Sequence, residues 1–127
     1  MPQVSIKIKN INEIRQAFSQ APRLMNQELK DALNRSAITV QGRSMQNTPV
    51  LTGRLRSSHV FAVSGSGMGM QAVVYPTANY GIFVHEGTRF MRARPFLKDG
   101  LESSADEIQG YFQKATQNVF DKISRDI

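Results

Sequence analysis

The sequence contains no cysteine. This absence excludes disulfide bridges, cysteine-ligated zinc and thiol catalysis. The sequence also lacks an uninterrupted apolar run close to the roughly 20 residues that a membrane-spanning helix needs. Its first residues, MPQVSIKIKN, lack the apolar core of a signal peptide. We therefore expect a protein that is made and kept in a cytoplasm-like compartment and has no membrane role.

Three catalytic or ligand-binding motifs are incomplete or absent. His85 and Glu86 resemble the start of a helical zinc-protease motif, but position 89, where the second histidine would stand, is arginine. The run GSGMG lacks the Gly-Lys-Ser/Thr ending of a phosphate-binding loop. No serine lies in the glycine pattern of a nucleophile elbow. We therefore expect a protein that is not an enzyme and has no metal or cofactor.

Positive charge is concentrated in the first three quarters of the chain. The 127 residues fit one domain, over residues 1 to 127, and the 40% hydrophobic content is that of a folded protein. Residues 1 to 96 contain twelve Lys/Arg and four Asp/Glu, a net charge of +8, while residues 97 to 127 contain four and six, a net charge of −2. Such a charge attracts nucleic acid, acidic protein surfaces or membrane headgroups without choosing among them.

In the first half of the chain, a segment of alternating apolar and polar residues is followed by two segments with helix signals. Val4, Ile6 and Ile8 alternate with polar residues, which predicts a half-buried strand. Asn10 offers the N-cap of a short helix. Pro22 suits the first turn of a longer helix, which should end near residue 45 because the stretch NTPVLTGRLRSS contains helix-breaking proline and glycine.

The second half predicts a hairpin followed by a helix. Alternation over residues 59 to 63 predicts one strand and the segment from Gln71 to Tyr75 predicts a second, and the two are joined by GSGMGM. The segment YGIFV is too short for its periodicity to distinguish helix from strand. From Pro95 onward, apolar residues at steps of three and four predict one long helix whose stripe covers the sheet. The expected fold is α+β: an antiparallel β-sheet packed against a long C-terminal helix, with one or two N-terminal helices.

Arginines cluster in or beside the two connections that are predicted to be non-helical. Guanidinium groups bind carboxylate and phosphate in bidentate fashion, so these connections are candidate contact surfaces. The alternative is that the arginines pair with acids of the C-terminal helix or are solvated. The cluster comprises Arg43, Arg54, Arg56, Arg89, Arg92 and Arg94.

Some of these residues are predicted to contact another subunit or a partner. Methionine gives adaptable apolar contacts, so the methionines of GSGMGM join the arginines in this prediction. Arg94, next to the start of the last helix, is expected to bond within its own subunit. The predicted contact residues are Arg54, Arg56, Met68, Met70, Arg89 and Arg92.

Three stretches in this order, TPVLTGRLRSS, YGIFVHEGT and RARPFL, give the sequence a family resemblance. Between about residues 25 and 120 the chain resembles the tail-completion, or head-tail joining, proteins of long-tailed bacteriophages, also known as minor tail components or phage gene-product-ten-like proteins. Two positions depart from the family pattern. Leu51 stands where many members have aspartate, and His85 where many have glutamate.

The family pattern matches this sequence at three motifs. They are the threonine-proline and glycine-arginine-leucine turn, the tyrosine, valine and glycine-threonine motif, and the arginine-proline-phenylalanine-leucine helix start. The matching positions are Thr48, Pro49, Gly53, Arg54, Leu55, Tyr80, Val84, Gly87, Thr88, Arg94, Pro95, Phe96 and Leu97.

The resemblance implies a non-enzymatic structural protein of the virion. Such proteins form rings, commonly hexameric, that terminate the tail tube and join it to the DNA-filled head. The implied partners are further copies of the chain, the tail-tube protein and the head-connector or stopper proteins, with packaged DNA as another candidate contact. The protein would be found in the tail or neck, and in the host cytoplasm during assembly. The charge pattern leaves one alternative open, a small basic nucleic-acid-binding protein.

Overall fold

The structure, a computed structural model, describes residues 2 to 7, 11 to 49, 53 to 89 and 92 to 125. Ile8 and Asn10, which belong to the predicted first strand and helix cap, lie outside these residues. The elements are, in chain order, β1 (Val4–Ile6), α1 (Ile11–Gln20), α2 (Pro22–Asn47), α3 (Arg54–Ser57), β2 (His59–Ser64), β3 (Gln71–Pro76), α4 (Gly81–Glu86), α5 (Phe96–Ser103) and α6 (Ala105–Arg125).

The strands form one antiparallel sheet in the order β1-β3-β2. Ile6 is paired with Ala72, and Phe61 with Val74. The side chains of Ile6, Ala72 and Val74 are buried, whereas Val73 between them is only partly buried. This is the two-residue period of a sheet with one covered face. The predicted α+β fold class with an antiparallel sheet is confirmed.

Helix α2 begins and ends where its sequence predicts. Pro22 occupies the first helical position, where a missing N–H costs nothing because that group has no partner within the helix. At the other end, Thr48 is extended, as a residue before proline tends to be. The Thr48 hydroxyl donates a hydrogen bond to the carbonyl of Ser44 at 2.6 Å.

Helix α2 lies between the sheet and the two C-terminal helices. On the sheet side, Gln41 Nε2 donates to the carbonyl of His59 at 2.8 Å. On the opposite side, the hydroxyls of Thr39 and Tyr111 are hydrogen-bonded at 3.1 Å. α2 therefore covers more of the sheet than α6 does, and the apolar stripe of α6 packs mainly against α2.

The C-terminal helical segment is interrupted at Ser104, so the prediction of one continuous helix from Pro95 is wrong. The hydroxyls of Ser103 and Ser104 both donate to the carbonyl of Gly100, at 3.2 and 2.7 Å. Such local side-chain bonds compete with the helical backbone pattern. The carbonyl of Ser104 then accepts a bond from Ile108 N at 2.9 Å in the first turn of α6.

Candidate functional site

Helix α4 presents two large apolar side chains to solvent. Ile82 is 40% exposed and Phe83 is 57% exposed. Gly81 and Val84 of the same helix are buried, so α4 packs on the domain through one face only. Contiguous exposed apolar groups are a common mark of a protein-protein contact, because covering them removes apolar surface from water.

Close packing at Gly81 holds the first turn of α4 against the domain. A Cβ atom at Gly81 would lie 3.0 Å from Cγ of Pro76 and 3.1 Å from Cδ1 of Leu55. Pro76 ends β3, and Leu55 is the buried residue of α3. A side chain at position 81 would therefore require the side chains of Pro76 and Leu55 to give way by a few tenths of an ångström.

The chain returns to α4 after Gly87. Gly87 has φ +82° and ψ 171°, a backbone conformation that is essentially restricted to glycine, and a Cβ atom there would lie 2.8 Å from Ala93 N. The amide of Arg94 donates to the carbonyl of Val84 at 3.0 Å. The exposed side chains of Arg92 and Arg94 thus lie on the segment that runs beside the end of α4. We call Ile82, Phe83, Arg92 and Arg94 together the α4 patch.

Phe96, at the start of α5, lies against both histidines of the chain. Its ring centroid is 5.3 Å from that of His59 and 5.1 Å from that of His85, with both pairs edge to face. His59 begins β2 and His85 belongs to α4, so one buried phenylalanine ties α4, α5 and the sheet together. Edge-to-face aromatic pairs contribute about 0.5–1.5 kcal/mol each beyond their burial.

The protonation state of His59 follows from its neighbours. Its Nδ1 lies 3.2 Å from the carbonyl of Leu55 and 3.0 Å from that of Arg56. Carbonyl oxygens only accept hydrogen bonds, so Nδ1 carries the proton and donates to both. Its Nε2 is buried and has no hydrogen-bond partner among the described residues. Burial lowers the pKa of His59, and the two backbone hydrogen bonds only partly oppose that change.

The predicted contact arginines have different surroundings. Arg54 and Arg56 lie on the short helix α3, so the prediction that their connection is wholly non-helical is wrong. Arg56 is half-buried and donates from Nη2 to the carbonyl of Thr48 at 3.3 Å, an internal bond. Arg54, Arg89 and Arg92 are exposed, and Arg54 and Arg89 also have interactions with neighbouring groups. The proposed contacts of these residues with other chains stay predictions.

Two further arginines of the cluster bond within the domain. Arg43 pairs with Glu107 of α6 and also donates to the carbonyl of Ser103. This is the intramolecular alternative that the sequence left open. The backbone of Arg94 is fixed as well, since its carbonyl accepts a bond from Phe96 N at 2.8 Å. Its guanidinium nevertheless lies on an exposed side chain.

The two methionines of GSGMGM differ in burial. Met68 lies in a short 3-10 turn, Gly67–Gly69, and is 37% exposed. Met70 is only 4% exposed and belongs to the hydrophobic core. The prediction that Met70 offers a surface contact is therefore wrong. Asn26 of α2 holds the turn in place, because its Oδ1 accepts a hydrogen bond from Gly67 N at 3.0 Å.

Sequence reasoning missed the apolar half of the α4 patch. The stretch YGIFV gave no periodic signal, so neither the helix nor its outward face could be assigned. The only local indication was the pair of adjacent apolar residues, Ile82 and Phe83, which cannot both point inward from a short helix that packs through one face.

Two features are absent among the described residues, a metal-binding cluster and a membrane-spanning helix. No group of three or more histidine, aspartate or glutamate side chains there is placed to hold a metal ion. Among the same residues, no helix combines the length and apolar character needed to cross a membrane.

Comparison of the chain with protein-family models, curated proteins and solved structures gives no significant match.

Proposed function

We propose that this chain is a non-enzymatic structural protein of a long-tailed phage virion, which forms or joins a ring at the head-tail interface. Its partners are then further copies of itself, the tail-tube protein and the head-connector or stopper proteins. It would act in the neck of the particle, after synthesis in the host cytoplasm. The ordered motifs that resemble tail-completion proteins support this proposal.

The observation that carries the proposal is the composition of the α4 patch. It combines exposed Ile82 and Phe83 with the exposed cations of Arg92 and Arg94. Aromatic residues and arginines are the types most enriched at the energetic centres of protein interfaces. The patch is also built from two of the resemblance motifs, YGIFVHEGT and RARPFL.

The two histidines favour a structural role over a catalytic one. His59 uses Nδ1 to hold the backbone at the end of α3, and His85 Nδ1 lies 2.8 Å from Glu86 Oε1, its sequence neighbour. Both rings pack on Phe96. These contacts hold α3, α4 and α5 against one another.

Mass measurement tests the proposal most directly. The purified chain is measured alone and after mixing with the tail-tube protein, and complementation of a phage lacking this protein is scored as joined heads and tails by microscopy. We expect ring-sized assemblies, alone or on the tail-tube protein, and restored joining. A folded chain that neither assembles nor restores joining contradicts the proposal.

A matched pair of variants ties the result to the α4 patch. Phe83→Ser and Ile38→Ser each remove an apolar side chain of almost equal exposure, 57% and 56%, from different helices. We expect Phe83→Ser to lose joining and Ile38→Ser to retain it. Equal loss with both variants would show that general surface apolarity, and not the patch, matters.

The same preparation tests the nucleic-acid alternative. Binding to duplex DNA is measured at about 50 and about 200 mM salt, a range over which phosphate-dominated binding weakens by orders of magnitude. Steeply salt-dependent binding by a chain that does not assemble would favour the nucleic-acid-binding protein over the assembly protein.

A further inference from the structure

A groove lies between the first strand and the C-terminal helices, on residues that take no part in the α4 patch. Its volume is about 470 Å³. On one side is β1, which pairs with β3 along one edge and with no other strand among the described residues. On the other side are the end of α5 and the first half of α6. The described residues that line the groove are Ser5, Ile6, Lys7, Leu101, Glu102, Ala105, Asp106, Ile108, Gln109 and Phe112.

The groove has an apolar floor. Ile6, Ile108 and Phe112 are 3%, 8% and 4% exposed, so they form part of the core and border the groove at once. Leu101, which is half-buried, extends this apolar surface. A cavity of this size falls within the roughly 300–1,000 Å³ of pockets that hold drug-sized ligands, so it has room for two apolar side chains.

Acidic side chains mark the helical rim of the groove. Glu102 and Asp106 are both exposed there, while Lys7 lies on the β1 side. Two carboxylates against one ammonium group leave the rim with an acidic excess. This acidic excess agrees with the sequence, in which residues 97 to 127 carry a net charge of −2 and residues 1 to 96 a net charge of +8.

The α4 patch and the groove complement each other in polarity and in charge. The patch offers two exposed apolar side chains, Ile82 and Phe83, together with Arg92 and Arg94 on the segment whose backbone is bonded to α4. The groove offers an apolar floor bordered by carboxylates. Guanidinium and carboxylate groups form the strongest charge-assisted pairs among side chains. An anionic partner such as nucleic acid fits the arginines but would be repelled by the acidic rim.

We propose that the α4 patch of one copy of the chain docks into this groove of a second copy. The inference rests on the proposed function, for which it supplies the contact between subunits. Ile82 and Phe83 enter the groove, and Arg92 and Arg94 meet Glu102 and Asp106. The proposed ring requires each patch to dock into the groove of the next copy, so that copies join head to tail. Such contacts close into a ring when the rotation between subunits permits.

Cysteine cross-linking tests the contact directly, because the natural chain has no cysteine to confuse the result. Full-length Ile82→Cys is mixed with full-length Gln109→Cys, and disulfide formation is followed under the conditions in which mass measurement shows assembly. Ile82→Cys keeps Phe83, and Gln109 is an exposed residue of the groove. The control partner is Ser124→Cys, also exposed but about 22 Å further along α6 at 1.5 Å per residue.

If the patch docks into the groove, the cysteine at position 82 should react faster with a cysteine at position 109 than with one at position 124. We expect the 82–109 disulfide to form about 100-fold faster than the 82–124 disulfide, because the interface raises the local concentration of one pair only. Equal rates in an assembled sample would overturn the docking proposal while the proposed function stands. If the natural chain never assembles, alone or with the tail-tube protein, the proposed function and the docking proposal fail together.

Charge reversal provides a second test that does not rely on cysteine. Glu102→Lys with Asp106→Lys should block assembly, because like charges then face each other across the contact. Mixing this variant with Arg92→Glu plus Arg94→Glu should restore assembly in which the two variants alternate, because each patch then meets a groove of opposite charge on the other variant. Mixtures that fail to assemble, from variants that each unfold like the natural chain, would overturn the proposed pairing.

Discussion

A glycine-to-alanine change at Gly100 should destabilise the domain, although alanine favours helices. Gly100 is buried in α5, where α5 meets α2. A Cβ atom at Gly100 would lie 2.3 Å from Oγ of Ser44, 2.9 Å from its N and 3.1 Å from its Cα. Real Cβ atoms essentially never approach within 3.0 Å, and two of the three atoms belong to the backbone of α2. A side-chain rotation of Ser44 therefore cannot relieve the contact, and the two helices must separate.

The magnitude follows from two opposing effects. Replacing glycine by alanine inside a helix is worth about 0.5–1 kcal/mol. Forcing an extra carbon into a packed core costs about 1–3 kcal/mol, and the backbone contact places Gly100 near the upper end. We expect a net loss of about 2 kcal/mol in the free energy of unfolding. At about 4 °C per kcal/mol for a domain of this size, Tm should fall by about 8 °C.

Gly110 of α6 gives the matched control. It is exposed, and a Cβ atom there would meet nothing within 4 Å. Gly110→Ala should therefore show only the helical gain, about 0.5–1 kcal/mol. Urea and thermal unfolding of the two variants and the natural chain measure both effects. If Gly100→Ala is as stable as Gly110→Ala, the close contact between α5 and α2 is refuted.

Further predictions concern pH, the methionine turn and the patch. Burial places the folded-state pKa of His59 below the ordinary 6.5, so the unfolded chain binds more protons in acid. Its contribution to stability is thus full above pH 6.5 and is lost as the pH falls through the folded-state pKa. His59→Gln should flatten the dependence of the unfolding free energy on pH in this range, as measured by urea unfolding at a series of pH values. Met70→Ala should lower the unfolding free energy by about 2–5 kcal/mol, whereas Met68→Ala should change it by less than about 1. Phe83→Ser should leave Tm nearly unchanged. It should weaken self-association, measured by sedimentation, by roughly 100-fold, because covering the phenylalanine ring stabilises the contact by about 25 cal/mol per Å² of ring surface.

Elements whose pattern is local could be predicted from the sequence. Alternation indicates the sheet because residues two apart share a face, and this holds whatever the rest of the chain does. Pro22 and the Thr48-Pro49 pair limit α2 through backbone geometry that is set by adjacent residues. The GSGMGM connection is likewise marked by its glycines, of which Gly65 and Gly67 have positive φ angles of 86° and 56°.

Properties that depend on distant residues could not be predicted in this way. The apolar stripe of α6 indicates that one face is covered, but its spacing contains no information about which element covers it. The partners of that helix, Thr39 and Glu28 of α2, are far from it in sequence. The interruption at Ser104 is also hidden from periodicity, because the apolar stripe continues through it while two serine hydroxyls change the hydrogen bonding.

In the candidate site, too, some features could be predicted from the local sequence and others depend on distant residues. The arginine cluster was visible as composition, and the exposure of Arg92 agrees with a role in contact. Met70 looked equivalent to Met68 in sequence, yet the turn directs one to solvent and the other into the core. Ile82 and Phe83 gave no usable signal, since their exposure depends on Gly81 packing against Pro76 and Leu55.

The α4 patch is held from several directions, and this connects the stability of the domain to its proposed assembly. Phe96 contacts His85 of α4 and begins α5, whose Gly100 lies against Ser44 of α2. Moving α5 away from α2 therefore displaces the aromatic ring on which α4 rests. A preorganised surface binds more tightly than a mobile one because less entropy is lost on contact. Gly100→Ala should for this reason weaken assembly more than an equally destabilising change in a part of the core remote from Phe96. If the two equally destabilising variants weaken assembly equally, the contact between α4 and Phe96 does not control the α4 patch.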